Sequence, residues 1–468
     1  MIPTTLGAVA DITGGRLHGC GPDEAAQVLV DGPVVTDSRE AAPGSLYVAR
    51  VGESADGHDF VPGAARAGAV AALTTREVDG LPCVVVEDEQ AGFVALARHL
   101  VDSRPDLTVI GITGSSGKTS TKDLLGSVLA ADGETIAPVG SYNSEVGVPL
   151  TVCRITPSTR HLVVEMGARG IGHVDYLTRI APPRIGIVLN VGHAHVGEFG
   201  SVEAIAEAKG ELPAALPADG VAVLNADDPL VAVMAERTSA QVVLVGESEA
   251  AHVRATDVTL DEAGAPSFTV IAPFGTAQVR LGLVGRHHVG NALAVIAAAH
   301  AAGMGLEQIV PALADARPLS RWRMEVTRRE DGVVVVNDAY NANPDSMSAA
   351  LRSLATMGAG GRRWAVLGTM LELGDASAEL HAAVGREAAE LGVDEVLVVG
   401  ETAAAIADGA RDTAREDGPR VRVVPDADAA EAVLVAELAA PDVVLFKSSR
   451  DAGLRWLGDR IVQREAHA

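Results

Sequence analysis

The chain has 468 residues, enough for two to four domains; 48% are hydrophobic but only 3% aromatic, so alanine, valine and leucine must fill the cores. Lys and Arg number 37 against 62 Asp and Glu, a net charge of −25, which argues against general binding to nucleic acid or anionic membranes. An anionic ligand must therefore be held by locally placed cations and backbone amides.

Cys20, Cys83 and Cys153 are odd in number and far apart, which points to a reducing compartment and no disulfide framework. The C-x-x-C spacing of zinc sites is absent. Met1–Ala10 holds no Lys or Arg and only a short apolar run, so no signal peptide is expected. No stretch approaches about 18 uninterrupted apolar residues, so no membrane span is expected either. The expectation is a cytoplasmic protein, and a monomer.

Strand-like runs at Leu46–Val48, Ala69–Leu73 and Cys83–Val86 make residues 1–105 a small α/β domain. Between them lie Thr36-Asp37-Ser38-Arg39 and Asp56-Gly57-His58-Asp59-Phe60, polar turns of the kind that contact ligands. Asp37 could equally cap a turn and Arg39 pair with a surface acid. A helix-like run at Phe93–Val101 ends before Ser103-Arg104-Pro105-Asp106, which reads as a linker.

The central domain, 106–316, opens with Val109-Ile110-Gly111-Ile112-Thr113-Gly114-Ser115-Ser116-Gly117-Lys118-Thr119-Ser120: an apolar strand, a small-residue loop, then a helix. Gly114 and Gly117 let backbone amides approach a phosphate, Lys118 supplies charge for the terminal phosphates, and Thr119 a hydroxyl for Mg²⁺. The helix dipole favours the same anion. Thr113 to Thr119 are therefore the candidate nucleotide-binding residues. Ile112 stands where the general pattern has its first glycine.

Leu162–Glu165, Ile185–Asn190 and Val221–Asn225 are the next strands, with helices between them, so the sheet is mainly parallel. Ligands in such sheets sit beyond the carboxyl ends of the strands. Glu165 falls there, then Asn190, His193 and His195, then Asn225, Asp227 and Asp228. Glu165 takes the place of a metal-binding carboxylate. His193 and His195 compete, and spacing does not choose between them; a hard Mg²⁺ prefers oxygen. Lys209, in the helix-like run Val202–Leu212, reads as a solvated helix lysine. Residues 253–285 read as an antiparallel excursion with turns at Ala263-Gly264 and Phe274-Gly275. Gly285 to Asn291 then open an Ala-rich helix, Ala292–Ala302. Asn291 could pair with an adenine edge or be an ordinary helix N-terminal amide.

The last domain, 317–468, alternates again, with strands at Val333–Asn337, Trp364–Leu367, Glu395–Val399, Val421–Val424 and Val443–Phe446: a Rossmann-like sheet. Asn337-Asp338-Ala339-Tyr340-Asn341-Ala342-Asn343-Pro344 follows its first strand where a dinucleotide site would have G-x-G-x-x-G. Asp338 is placed to contact a ribose or a metal, or to cap a helix. The fold class is α/β in three domains: a small N-terminal substrate domain, a central phosphate-loop sheet and a C-terminal Rossmann-like domain.

Taken together, these segments resemble the Mur ligases, ATP-dependent amide-forming enzymes of cell-wall precursor synthesis. The resemblance runs through Thr36–Arg39, Asp56–Phe60, Thr113–Thr119, Tyr142–Thr151, Glu165–Ala168, Ala194-His195, Ala208–Glu211, Asn225–Asp228, Asp338–Met347 and Leu371–Gly374. It implies that His195 rather than His193 is the metal-site histidine, and that Lys209 is carbamylated. Glu165, His195 and the Lys209 carbamate would hold one Mg²⁺; Thr119 and the nucleotide phosphates would hold a second. It also gives Asn291, Arg323 and Asp338 nucleotide contacts, Ser38 and Arg39 the UDP-sugar end, and Asn143 a place near substrate and phosphate.

Tyr340-Asn341-Ala342-Asn343-Pro344 fits the dipeptide-adding branch of the family, which joins D-alanyl-D-alanine to UDP-N-acetylmuramoyl-tripeptide through an acyl phosphate. The Asp-Asn-Pro-Arg element of the diamino-acid-adding branch is absent. His288, Thr369 and Ser448 depart from the usual family residues. The alternatives are another ligase of this superfamily, a folylpolyglutamate synthase-like one included, or a non-catalytic ATP-binding regulator. The Asp-Ser-Arg segment argues against the folate enzyme; the joint presence of Lys118, Glu165, His195 and Lys209 argues against the regulator.

Overall fold

The computed structural model describes residues 1–52, 54–138, 140–192, 196–357, 360–413 and 418–464. The N-terminal sheet runs in the order Arg16–His18, Cys83–Val85, Ala69–Thr74, Ser45–Val48, Val34–Val35. Only its first pair is antiparallel. The strands expected at 46–48, 69–73 and 83–86 are all present within a residue of those bounds.

The central sheet has nine strands. Its order is Gly275–Arg280, Pro266–Ala272, Val253–Leu260, Gln241–Gly246, Val221–Asn225, Ile185–Val188, Thr108–Thr113, His161–Glu165, Thr135–Ile136. The pairings are parallel from Thr135–Ile136 across to Val253–Leu260, and the last two strands return antiparallel. The excursion at 253–285 is thus the edge of this sheet. Gln241–Gly246, which the sequence reading did not include, joins the two halves. Thr108–Thr113 lies between Ile185–Val188 and His161–Glu165, so the loop leaving it emerges between the carboxyl ends of both neighbours. Glu165 is in register with Ile112.

Low aromatic content shapes the packing. On one face of the sheet, Leu124, Leu125 and Val128 of the helix Lys118–Leu129 pack with Ala292, Val295 and Ile296 of the helix His288–Ala301. Alanines let these two helices lie close, and each fully buried Leu contributes about 2 kcal/mol. The helix His288–Ala301 begins earlier than the expected Ala292, which puts Asn291 in its first turn. On the other face one core joins two domains: Leu96 and Leu100 of Glu89–Asp102 share a cluster with Val148, Val152 and Leu177.

The C-terminal sheet is ordered Glu325–Arg328, Val334–Asn337, Val443–Lys447, Arg363–Leu367, Glu395–Val399, Arg420–Val424. All pairs after the first are parallel, with a separate core on each face. Among the described residues no helix is long and apolar enough to cross a membrane.

Candidate active site

The turn after Thr113 is possible only with its glycines. Gly114 has φ +156° and Gly117 φ +80°, in the region that disfavours a side chain. A Cβ on Gly114 would stand 2.9 Å from Leu189 Cβ, and one on Gly117 2.9 Å from Asn291 Oδ1. Asn190, at the end of the adjoining strand, braces the loop from outside. Its Oδ1 accepts from Ser116 N–H at 2.9 Å, its Nδ2 donates to Ser116 O at 3.2 Å, and its backbone O accepts from Ser115 N–H. Asn190 and the two glycines therefore fix the shape of the loop, with the helix Lys118–Leu129 pointing its N-terminus into the turn.

Lys118 curls back so that its ammonium donates to Gly114 O. Desolvation lowers its pKa below the ordinary lysine value, and Glu165 opposes that shift. Thr119 Oγ1 donates to Glu165 Oε2 at 3.0 Å. Glu165 also accepts from Asn143 Nδ2 at 2.8 Å and from Ser141 Oγ at 3.4 Å. The carboxylate is 1% exposed and held by three neutral donors, with no cation paired to it in the described hydrogen bonds and ion pairs.

Lys209 is 4% exposed and lines the same cleft as Lys118 and Glu165. The expectation of a solvated lysine is corrected here. In the helix Val202–Ala214 it shares the buried face with Ile205, Ala208 and Leu212, the i, i+3, i+4, i+7 spacing that packs inward. Its amine has no hydrogen bond or ion pair among the described residues. Burial, aided by the nearby Lys118 charge, pushes its pKa down to about 7, so much of it is a free amine near neutrality.

The cleft measures about 1220 Å³ and is shared by the central and C-terminal domains. Ser115 to Ser120, Ser141, Asn143, Glu165 and Lys209 line one side; Arg323, Tyr340, Asn343, Arg450 and Arg455 line the other. Arg323 bridges the two sides, its Nη2 donating to Thr119 Oγ1 at 3.4 Å and its guanidinium carbon 4.4 Å from the Tyr340 ring centre. Asn291, 7% exposed, stands behind Gly117 with its Nδ2 3.3 Å from His288 Nδ1. Asp338 accepts from Lys447 Nζ at 2.6 Å and from Met324 N–H at 3.0 Å.

Ser38 and Arg39 are not brought into this cleft. They start a short turn in the N-terminal domain, where exposed Arg39 pairs with Asp37 at 2.5 Å, and that pair holds the Asp37 carboxyl down at about 2. His193 and His195 lie outside the described residues. Among the described residues no group of three His, Cys, Asp or Glu side chains could hold a metal ion. Ser141, Tyr340 and Arg455 also line the cleft; no motif marks Ser141 or Arg455 in the sequence, and Tyr340 lies within the segment Asp338–Met347.

The donors available suit a hard cation only in part. Glu165 and Thr119 offer oxygen, as Mg²⁺ requires, whereas an ammonium at Lys209 would repel it. A carbamate on Lys209 would replace that repulsion with an oxygen ligand, and the free-amine fraction of Lys209 is the form that reacts with CO₂.

Residues 112–299 match the Mur ligase middle domain, residues 322–450 the Mur ligase glutamate ligase domain, and residues 33–95 the Mur ligase family catalytic domain. A UDP-N-acetylmuramoyl-tripeptide–D-alanyl-D-alanine ligase of Mycobacterium tuberculosis is 46% identical, over 99% of this chain and 98% of its own length. Among solved structures, MurF from Acinetobacter baumannii superposes with a TM-score of 0.88 at 32% identity, covering 99% of each chain. MurF from Thermotoga maritima, solved in complex with ADP, gives 0.78 at 29% identity, covering 93% of this chain and 99% of that one.

Proposed function

The chain belongs to the Mur ligase family, and from that premise we propose that it joins D-alanyl-D-alanine to UDP-N-acetylmuramoyl-tripeptide, with ATP converted to ADP and phosphate. The observation that carries the reading is likeness over the whole chain to ligases of that name. The convergence of Lys118, Thr119, Glu165, Lys209 and Arg323 on one cleft supports it.

A carboxylate is a poor acyl electrophile, because its charge repels nucleophiles and it lacks a good leaving group. The terminal carboxylate of the tripeptide attacks the γ-phosphorus, the bond to the bridging oxygen breaks, and ADP leaves an acyl phosphate. The amine of D-alanyl-D-alanine then attacks the acyl carbon, loses a proton, and expels phosphate. Loop amides from Gly114 to Thr119 and the Lys118 ammonium cradle the phosphates. Arg323 adds positive charge from the opposite side of the cleft. Asn143, fixed by its bond to Glu165, would lie near the substrate and the phosphate. Asn291 and Asp338 serve the nucleotide from behind the loop and from the C-terminal domain. Ser38 and Arg39 take the UDP-sugar end. The domains run 1–105, 106–316 and 317–468, each bringing one part of the ligand set, and their closure excludes the water that would hydrolyse the acyl phosphate.

Two Mg²⁺ ions belong to this reading: Glu165, His195 and a carbamylated Lys209 would hold one, and Thr119 with the nucleotide phosphates the other. Bound there, they neutralise charge developing on the transferred phosphoryl group. The reaction belongs in the cytoplasm, where these reactants are soluble, and the enzyme acts as a monomer.

Phosphate release with each reactant omitted in turn tests the assignment. Release is expected only when both the UDP-tripeptide and D-alanyl-D-alanine are present. Release with tetrahydrofolate and glutamate, or with no acceptor, overturns it.

A further inference from the structure

Arg323 is flanked by two residues in left-handed backbone conformations, Trp322 at φ +60° and Met324 at φ +48°. Glycine would adopt either geometry freely; a tryptophan and a methionine do so only where their surroundings force them. The alternation of left-handed, ordinary and left-handed residues lets Arg323 leave the C-terminal domain and reach Thr119 on the phosphate loop.

Three carboxylates hold this turn. Glu325 Oε2 accepts from Trp322 N–H at 3.0 Å, and Asp338 Oδ1 accepts from Met324 N–H at 3.0 Å. The third arrives from a different element. Asp459, on the helix Leu454–Gln463, accepts from Trp322 Nε1 at 3.1 and 3.2 Å, from Arg321 Nη2 at 2.8 Å and from Asn337 Nδ2 at 3.2 Å. Its side chain is 18% exposed. The helix can approach this closely because Gly458 has no side chain; a Cβ there would stand 2.4 Å from Asn337 Nδ2. Trp456 then meets Trp322 edge-on, with ring centres 4.9 Å apart.

Arg323 itself is underused. Its Nε is buried with no hydrogen-bond partner among the described residues, and its one side-chain hydrogen bond there, to Thr119, is long. An anion bound at the loop would meet a guanidinium that already reaches Thr119.

We propose that Asp459 is a positioning residue for nucleotide binding: by gripping the Trp322 indole and Arg321 it sets the strained turn that delivers Arg323 to the phosphate loop. The inference rests on the reading of the cleft as an ATP site. It assigns Asp459 no contact with the nucleotide; its whole effect passes through Arg323.

A double-mutant cycle on ADP affinity, measured by calorimetry on the full chain, tests it. Asp459→Ala is expected to weaken ADP binding about tenfold, the scale of one charge-assisted hydrogen bond, and to have no further effect once Arg323→Ala is present. Asp459→Asn keeps an acceptor for the indole while weakening the grip on Arg321, and should fall between wild type and Asp459→Ala. If Asp459→Ala does not fold, Trp322→Phe takes its place in the cycle, since it keeps an aromatic ring and removes the indole N–H. Equal losses with and without Arg323, or unchanged ADP affinity in a folded Asp459→Ala or Trp322→Phe chain, overturn the proposal. The titration needs no peptide substrate, so a chain that binds ADP yet joins nothing would defeat the functional reading and leave this cycle readable.

Discussion

Thr119 Oγ1 and Glu165 Oε2 lie 3.0 Å apart, tying the phosphate-loop helix to the end of the neighbouring strand. The two oxygen groups proposed as metal ligands thus share a direct hydrogen bond. Glu165→Gln keeps the shape but removes the charge and weakens cation binding. Phosphate release should fall about 100-fold and need a higher Mg²⁺ concentration for half-maximal rate, while the melting temperature changes little. An unaltered Mg²⁺ dependence would remove Glu165 from the metal site.

Lys209→Ala should nearly abolish turnover, because it deletes the amine that would carry the carbamate. Short carboxylic acids added to that variant should restore part of the rate by supplying the missing oxygens. Steady-state assays with and without acetate make the comparison. Full activity without any additive would take the carbamate out of the mechanism.

Gly117→Ala tests the loop. The new methyl group would meet Asn291 Oδ1 at 2.9 Å, at a residue whose φ of +80° already disfavours a side chain. ADP affinity should drop about tenfold or more, on the order of one lost charge-assisted contact, while the domain stays folded. Retained affinity would show that the amides of this turn do not carry the phosphates.

His288 connects the fold to pH. It is 3% exposed, its ring centre is 4.2 Å from that of His287, and burial holds its pKa well below 6.5. A histidine depressed in the folded state binds a proton more readily once unfolded, so stability is lost as pH falls below about 6.5. An asparagine in its place does not titrate and would carry no such dependence. Urea unfolding of wild type and His288→Asn at about pH 7 and about pH 5 should show the larger loss in wild type. Parallel losses would assign the acid sensitivity elsewhere.

The parts of the site that neighbour one another in sequence were the legible ones. Strand, small-residue loop and Gly117-Lys118-Thr119 follow in order, and the chain folds them as that order suggests. Glu165 was legible because an apolar strand ends on it. The charge of Lys209 suggests a solvated helix lysine, yet its spacing completes the buried stripe of Ile205, Ala208 and Leu212; only the resemblance gave it a place in the site. Nothing in the local sequence marks Lys122 and Asp123. Both are buried, and they are satisfied by Pro138 O and by Ser320, nearly two hundred residues away. Asp459 belongs with them, since its partners Arg321, Trp322 and Asn337 reach it only after the C-terminal sheet has formed. Two-residue strands such as Thr4–Thr5 and Val34–Val35 carry no periodicity to read.

Mass spectrometry of the reaction products tests the central claim most directly. Incubated with ATP, Mg²⁺, UDP-N-acetylmuramoyl-tripeptide and D-alanyl-D-alanine, the chain should convert the tripeptide to a species heavier by one dipeptide less one water, with one ADP and one phosphate formed per amide. ADP accumulating while the tripeptide mass stays unchanged, or no nucleotide consumed at all, would contradict the account.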